Sequence, residues 1–279
     1  MNQKVWITGG AGLIGSYVLR ARPASWIAVA PTRTELDLSE RRAVEALVQR
    51  ERPDLIIHCA GLTRSPACEA NPTLARTLNV DVTRHIAELA SNCRFIFFST
   101  DLVFDGRKGA YLEDDAVNPQ SVYALTKAEA EQIVLQNSRH TIVRTSLNFG
   151  VSRTGDRAFN EELRRTWAAG RTTRLFVDEF RCPIAAEVTA RAVWELIQRE
   201  VGGLFHLAGA EKLSRFEIGR LIAMSSFELK PRIEASLLRE HEGPPRSPDT
   251  SLNCAKIQAL LSFSLPAFSS WLERKRDSE

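Results

Sequence analysis

Short apolar stretches of strand length alternate with longer segments of helical period through the first half of the chain. The apolar stretches are continuous and contain many β-branched or aromatic residues: VWIT (5–8), WIAVA (26–30), DLIIHCAG (54–61), RFIFFST (94–100) and HTIVRTS (140–146). Such runs are typical of parallel strands buried on both faces by the helices between them. The pattern predicts an α/β fold with a doubly wound parallel sheet over residues 1–146.

The alternation loosens after residue 146. Helical period recurs at 157–170, 185–200, 213–224 and 255–261, and strand patterns occur at RLFVD (174–178) and GLFHLAG (203–209). The segment 239–253 contains many proline and polar residues and is predicted to be a loop. We expect residues 147–279 to form a smaller C-terminal α/β lobe that binds substrate. The boundary is approximate, and the chain is free to cross between the lobes.

Composition excludes several classes of protein. The 279 residues are 44% hydrophobic without an apolar run of about 18 residues or a signal-peptide pattern, which predicts a cytoplasmic protein that does not contact membranes. The 37 basic and 34 acidic residues are spread along the chain, so nucleic acid is not an expected partner. Neither the five cysteines nor the five histidines show metal-ligand spacing, and we expect no metal site.

A glycine-rich stretch, ITGGAGLIGS, follows the first strand and opens a helix. Its glycines fit GxGxxG as Gly10, Gly12 and Gly15, or GxxGxxG as Gly9, Gly12 and Gly15. In either register Gly12 lets the backbone approach a pyrophosphate, and the helix offers free amide groups. This position after a first strand favours a Rossmann-like dinucleotide site over a merely tight turn.

The loop after the second predicted strand bears on which dinucleotide binds. WIAVA continues into Pro31, Thr32 and Arg33, whereas an NAD site ordinarily has an acid there for the ribose hydroxyls. An arginine suits a 2′-phosphate, so NADP(H) is favoured and NAD(H) is the alternative; an exposed arginine without a ligand is a further interpretation. Asp37 is predicted either to contact the ribose or adenine, or to place a charge near the next helix.

Tyr123 and Lys127 stand four residues apart in SVYALTKAEAEQ, a segment predicted to be helical. Residues at this spacing share one helix face. A neighbouring ammonium favours a phenolate, so we expect Lys127 to lower the pKa of Tyr123 from its usual value near 10. The pair would then suit proton transfer, and the lysine could also bind a nicotinamide ribose.

The strand RFIFFST ends in Ser99 and Thr100, followed by Asp101. Ligands of open α/β sheets bind beyond the carboxyl ends of the strands, so a hydroxyl there could polarise a substrate carbonyl. Thr100 is the candidate. The alternative is a turn stabilised by local side-chain hydrogen bonds.

Several motifs together closely resemble the extended short-chain dehydrogenase/reductases, and most of all the dTDP-4-dehydrorhamnose reductase family. They are TGGAGLIG, HCAG, FFSTDLVFDG, YLEDD, NPQSVYALTKAEAE and IVRTS. The resemblance is strong over about residues 4–150. It implies NADP(H)-dependent reduction of a keto group. The expected substrate is a 4-keto-6-deoxy sugar nucleotide such as dTDP-4-dehydrorhamnose, and the expected oligomeric state is a homodimer.

The resemblance also implies roles for individual residues. Thr100, Tyr123 and Lys127 would be the catalytic trio, with Tyr123 donating a proton to the carbonyl oxygen. The cofactor would contact the trio's Tyr123 and Lys127 together with Gly9, Gly12, Leu13, Ile14, Asp37, Leu38, Ala60, Gly61 and Thr63. Apart from the resemblance, Arg33 and Ser99 are further expected cofactor contacts.

The expected substrate contacts are Asp101, Leu102, Leu147 and Arg181. The family often has aromatic residues at the positions of Leu102 and Leu147, so the pocket would be reshaped here. Arg181 could bind a diphosphate or another anion, or it could form a surface ion pair with Asp178 or Glu179.

Two alternatives to a reductase remain open at this point. An epimerase or dehydratase with tightly held NAD could use the same trio, with Asp101 as an extra acid. The regulatory subunit of methionine adenosyltransferase resembles the same family and would make this chain a binding module. The complete Thr100, Tyr123 and Lys127 set favours the enzyme.

Overall fold

The computed structural model describes residues 3–276, in which strands and helices alternate from the start. The strands are β1 (Gln3–Thr8), β2 (Trp26–Val29), β3 (Leu55–His58), β4 (Arg94–Thr100), β5 (Thr141–Thr145), β6 (Asn148–Phe149), β7 (Thr173–Phe176), β8 (Phe180–Arg181), β9 (Ile184–Ala185), β10 (Gly203–Leu207), β11 (Leu213–Ser214) and β12 (Ile233–Ser236).

The helices lie between and after these strands, and none of those in residues 3–276 is both long and apolar enough to traverse a bilayer. They are α1 (Leu13–Arg20), α2 (Arg41–Glu51), α3 (Ser65–Ala70), α4 (Pro72–Arg76), α5 (Val82–Leu89), α6 (Val122–Val134), α7 (Phe159–Ala168), α8 (Ala186–Gln198), α9 (Arg215–Met224), α10 (Ala255–Gln258) and α11 (Phe268–Arg276).

A parallel six-stranded sheet in the order β10-β5-β4-β3-β1-β2 forms the centre of the protein. The chain runs from β1 to one edge and then returns to build β3, β4 and β5 on the other side. Ligands of such sheets bind at the carboxyl ends of the strands, at the point where the direction changes. The predicted fold class is confirmed.

The strand β10 comes from the second half of the chain but belongs to this sheet. It pairs with β5, with Phe205 opposite Val143 and Leu207 opposite Thr145. Phe205 and Leu207 are buried in the same core as Val143, so the apolar run GLFHLAG packs partly against the first half of the chain. The chain therefore crosses between its two lobes, and a boundary near residue 146 stays a prediction.

Each face of the sheet has its own apolar core. Val5 and Ile7 pack on one face against α1 and α8, while Trp6 packs on the other against α2 and α5. Alternate residues of a strand point to opposite faces, which explains why the unbroken run VWIT is buried throughout. Burial of both faces is the main source of stability for such a sheet.

The helical segment from residue 72 to residue 91 is interrupted. Between α4 and α5 lies a π-helical turn, Thr77–Asp81, which places one extra residue in the turn. The buried side chain of Asn79 leaves the turn there and hydrogen-bonds Leu62 and Thr126. It therefore fixes the loop after β3 against α6.

The second lobe lies above the carboxyl ends of the sheet. Its core joins α7, α9 and α11, with Phe149, Trp167 and Phe268 buried together. The predicted strand RLFVD is β7, and it pairs in parallel with β12, which the sequence pattern did not predict. The loop predicted at 239–253 returns to the first lobe, where Leu252 bridges to Tyr111.

Candidate active site

A cavity of about 790 Å³ lies between the sheet and the second lobe. Every residue for which the sequence predicts a site role lines it, although these residues come from seven segments of the chain. The lining includes Gly9, Gly12, Leu13, Ile14, Arg33, Asp37, Leu38, Ala60, Gly61, Thr63, Ser99, Thr100, Asp101, Leu102, Tyr123, Lys127, Leu147 and Arg181.

The glycine-rich turn between β1 and α1 is as tight as a phosphate loop requires. Gly9 has φ +67°, and a Cβ atom on it would lie 2.8 Å from the amide nitrogen of Ala60. A Cβ atom on Gly15 would lie 2.3 Å from the Gly9 carbonyl oxygen, whereas one on Gly10 would come no closer than 3.1 Å to its nearest neighbour, Ala30. These clearances favour the GxxGxxG register of Gly9, Gly12 and Gly15.

The turn also presents unpaired donors. Helix α1 begins at Leu13 with Gly12 as its N-cap, and no side chain caps it. The first amide groups of a helix have no partner within the helix, and its N-terminus carries partial positive charge. The residues present therefore fit a dinucleotide pyrophosphate.

The end of β4 places three polar side chains at the cavity. The hydroxyl of Ser99 is buried and has no hydrogen-bond partner among the described residues, and the residue lines the cavity. Thr100 Oγ1 donates to Asp101 Oδ1 at 3.2 Å and accepts from the Leu102 amide at 3.2 Å. Thr100 thus has the local bonds of a turn and also lines the cavity.

Asp101 is a buried carboxyl group with several partners. Ser146 and Thr250 donate to its Oδ2 at 2.8 and 2.9 Å, and Arg181 Nε lies 3.8 Å away. Burial raises the pKa of Asp101, and Arg181 and the hydroxyl donors oppose that rise. The Asp101 side chain therefore links the end of β4 to Thr250 and Arg181 in the second half of the chain.

Helix α6 carries Tyr123 and Lys127 into the cavity on one face. The Ser121 hydroxyl accepts from the Ala124 amide at 3.3 Å and caps the helix. Lys127 is buried, with Nζ 3.9 Å from the ring centroid of Phe97. Burial lowers the pKa of Lys127 to about 7, and Glu131 acts in the opposite direction.

The expectation that the pKa of Tyr123 is lowered is wrong for the protein alone. Loss of solvent around the phenol raises its pKa, and the negative charge of Asp101 adds to this; the Thr100 hydroxyl offsets part of it. The physical reason is that burial penalises the phenolate more strongly than its neighbours stabilise it. Tyr123 therefore remains protonated at neutral pH.

Arg181 forms an ion pair with Glu179, but the pair is buried rather than on the surface. Its Nη2 lies 2.8 Å from Glu179 Oε1, and its Nη1 donates to the Phe180 carbonyl at 2.6 Å. Glu179 also accepts two bonds of 2.8 Å from Arg246. Most donors of Arg181 are thus engaged within the protein, which leaves it poorly placed as the main anion ligand.

Another arginine at the cavity, Arg215, was not predicted from the sequence. Arg215 begins α9, and its guanidinium carbon lies 3.7 Å from the ring centroid of Phe159. It makes no side-chain hydrogen bond or ion pair within residues 3–276, and burial lowers its pKa to about 10. The capping box of Ser214 and Glu217 could have located the helix start, but only the tertiary fold brings α9 to the cavity.

The parallel sheet, the glycine-rich turn and a Tyr123–Lys127 pair beside Thr100 define an extended short-chain dehydrogenase/reductase. Within that class, the chain belongs to the RmlD substrate binding domain family, whose model matches residues 3–278. The predicted family resemblance is confirmed.

Relatives and solved structures agree with this family. The chain is 29% identical to "Methionine adenosyltransferase 2 subunit beta" of Xenopus laevis, covering 93% of this chain and 83% of the relative. It is 30% identical to "Probable low-salt glycan biosynthesis reductase Agl14" of Haloferax volcanii, covering 94% and 93%. The dTDP-4-dehydrorhamnose reductase of Bacillus anthracis in complex with NADP has a TM-score of 0.91 at 24% identity, with 100% of both chains covered.

Other solved structures of this fold are epimerases and a dehydratase with NAD. NADP and NAD therefore both occur among proteins of this fold. The prediction of an NAD(P)-dependent oxidoreductase of the extended type is confirmed at the level of class. The roles assigned to individual residues stay predictions.

Proposed function

We propose that this protein reduces a keto group of a 4-keto-6-deoxy sugar nucleotide, such as dTDP-4-dehydrorhamnose, with NADPH. The observation that carries the proposal is the convergence of Thr100, Tyr123 and Lys127 on a cavity that continues to the glycine-rich turn. A relative named as a glycan biosynthesis reductase and a reductase structure with NADP support the substrate class and the cofactor.

Tyr123 is the proposed proton donor. Its raised pKa keeps the phenol protonated at neutral pH, so it can give a proton to a carbonyl oxygen as negative charge develops there. Thr100 can donate a hydrogen bond to the same oxygen once its hydroxyl turns away from Asp101. Lys127 would stabilise the phenolate that remains. The nicotinamide, when bound, supplies the hydride for the carbonyl carbon.

Substrate binding is assigned to the side of the cavity formed by the second lobe. Arg215 has free donors and suits a diphosphate, whereas Arg181 would act mainly by holding Asp101 and Glu179 in place. Half-buried Leu102 and Leu147 offer apolar surface to a deoxy sugar. Asp101 remains a proposed substrate contact.

The decisive experiment follows NADPH absorbance in the presence of dTDP-4-keto-6-deoxy-L-mannose. We expect turnover by the native protein and a loss of about 10²–10⁴-fold in kcat for Tyr123→Phe, the range typical of a lost general acid. The control is NADPH binding by the variant, which should match that of the native protein. Normal turnover by Tyr123→Phe would contradict the assigned proton donor.

A second candidate is a regulatory subunit, favoured by the relatives named as subunit beta of methionine adenosyltransferase 2. Co-purification with a methionine adenosyltransferase, together with no NADPH oxidation, would support it.

The epimerase or dehydratase alternative rests on the buried Asp101 beside Thr100. It requires tightly held NAD, so release of the cofactor on dialysis would count against it. Cytoplasmic location and a homodimer stay predictions.

A further inference from the structure

The loop between β2 and α2 contains a carboxylate that occupies two hydrogen-bond donors. Glu35 Oε2 accepts from the Thr32 amide at 2.7 Å and from the Thr32 hydroxyl at 2.8 Å. Thr34 Oγ1 lies 3.0 Å from the same hydroxyl. The donors of Thr32 are thus already paired with a negative charge from the same loop.

This loop is placed to meet the adenosine ribose of a dinucleotide. It follows β2, which pairs directly with β1, the strand that leads into the glycine-rich turn. In doubly wound folds the residues after the second strand contact the 2′ position of that ribose. Thr32 and Arg33 line the same cavity as the turn.

The charges of the loop are mixed. The hydrogen bonds from Thr32 lower the pKa of Glu35, and those from Ser39 lower the pKa of Asp37, so both acids are ionised at neutral pH. Arg33 is exposed and has no ion pair within residues 3–276. A 2′-phosphate would meet one cation and two anions here, whereas a 2′-hydroxyl could donate to a carboxylate.

We infer that Glu35 is a specificity-determining residue, whose carboxylate competes with a 2′-phosphate for the donors of Thr32 and thereby sets the relative affinity for NADPH and NADH. The inference rests on the proposed function, because it requires that the cavity binds a nicotinamide dinucleotide. NADPH binding then requires Glu35 to leave Thr32, while NADH can bind with Glu35 in place.

Direct titration of the purified protein with NADPH and with NADH, without substrate, tests this inference through dissociation constants. Glu35→Gln removes the charge but keeps an oxygen that can accept from Thr32. We expect it to bind NADPH about fivefold more tightly and NADH no more tightly, the order expected for one exposed charge at about 4 Å. Glu35→Ala, which frees both donors, should shift the ratio in the same direction.

The matched control is Glu40→Gln, an exposed glutamate in the same loop whose carboxylate makes no hydrogen bond to Thr32. It should leave the ratio of the two dissociation constants unchanged. Binding of both dinucleotides with the same ratio in native protein, Glu35→Gln and Glu35→Ala would overturn the inference and leave Glu35 as a residue that only stabilises the turn. Failure of the folded native protein to bind either dinucleotide would overturn the proposed function as well.

Discussion

At the scale of single residues, the most unusual feature is the buried cation of Lys127. Only 5% of its surface is exposed, and its ammonium lies on the ring of Phe97. Glu131, one helical turn further on, accepts two hydrogen bonds from Arg144 at 3.0 and 2.7 Å. Its negative charge is therefore compensated mainly by Arg144 rather than by Lys127. Lys127 can therefore lose its proton near neutral pH.

The burial of Lys127 should make the free energy of unfolding depend on pH. Unfolding returns the pKa of Lys127 from about 7 to 10.5, so the unfolded state binds more protons between these values and native stability rises with pH there. Lys127→Met should be more stable than the native protein below pH 7. The difference should narrow by up to about 1.4 kcal/mol per pH unit above it.

Urea unfolding of both proteins at several pH values from 6 to about 9, without cofactor, measures this difference. A difference that stayed constant over this range would show that Lys127 keeps an ordinary pKa in the folded state. The comparison with Lys127→Met cancels other titrating groups, which both proteins share.

Spacing along the sequence was sufficient to pair Tyr123 with Lys127, because residues four apart meet on a helix regardless of the rest of the fold. The direction of the pKa shift of Tyr123 was not predictable in this way. It depends on desolvation by residues distant in sequence, and these are brought together only in the folded cavity.

At the scale of elements, the π-helical turn Thr77–Asp81 decides how the cofactor side of the cavity is built. Asn79 donates from Nδ2 to Leu62 O and Thr126 Oγ1, each at 3.0 Å, and accepts from the Leu62 amide at 2.7 Å. Its Oδ1 also lies only 2.8 Å from the position that a Cβ atom on Gly61 would take, which is too close for a side chain there. A single inserted residue hardly alters the apolar period, so the sequence pattern alone does not reveal this π-helical turn.

Asn79→Ala should lower the free energy of unfolding by about 1–3 kcal/mol, since it leaves the half-buried amide of Leu62 without its acceptor. Chemical denaturation of native protein and variant provides the measurement. The matched control is Asn92→Ala at an exposed turn, which should change the free energy by less than about 0.5 kcal/mol. Equal effects of the two substitutions would contradict a special role for Asn79.

At the scale of the whole molecule, a buried polar network connects α6, β5 and β10. Arg144 binds Glu131 through two nitrogens, and its Nη1 lies 3.4 Å from His206 Nε2. His206 Nδ1 donates to the Tyr111 carbonyl at 3.0 Å, which leaves Nε2 to accept from Arg144. Burial lowers the pKa of His206 to about 3, so the ring is neutral and the network carries one ion pair.

Arg144→Met should cost about 3–5 kcal/mol of stability, because it leaves Glu131 buried without a counter-charge. The double variant Glu131→Leu/Arg144→Met removes both charges and should recover most of that loss. Urea unfolding of the three proteins measures the two differences. A double variant as unstable as Arg144→Met would show that packing, rather than the unpaired charge, causes the loss.

The sequence by itself determined the alternating strands and helices, the glycine-rich turn and the Tyr123–Lys127 spacing, because these are local patterns with short periods. The tertiary structure decided that β10 joins the central six-stranded sheet, that Arg181 forms a buried ion pair with Glu179, and that Arg215 lines the cavity. These outcomes depend on which distant segments share a core and which charges are desolvated together, and neither is encoded in the neighbours of a residue along the chain.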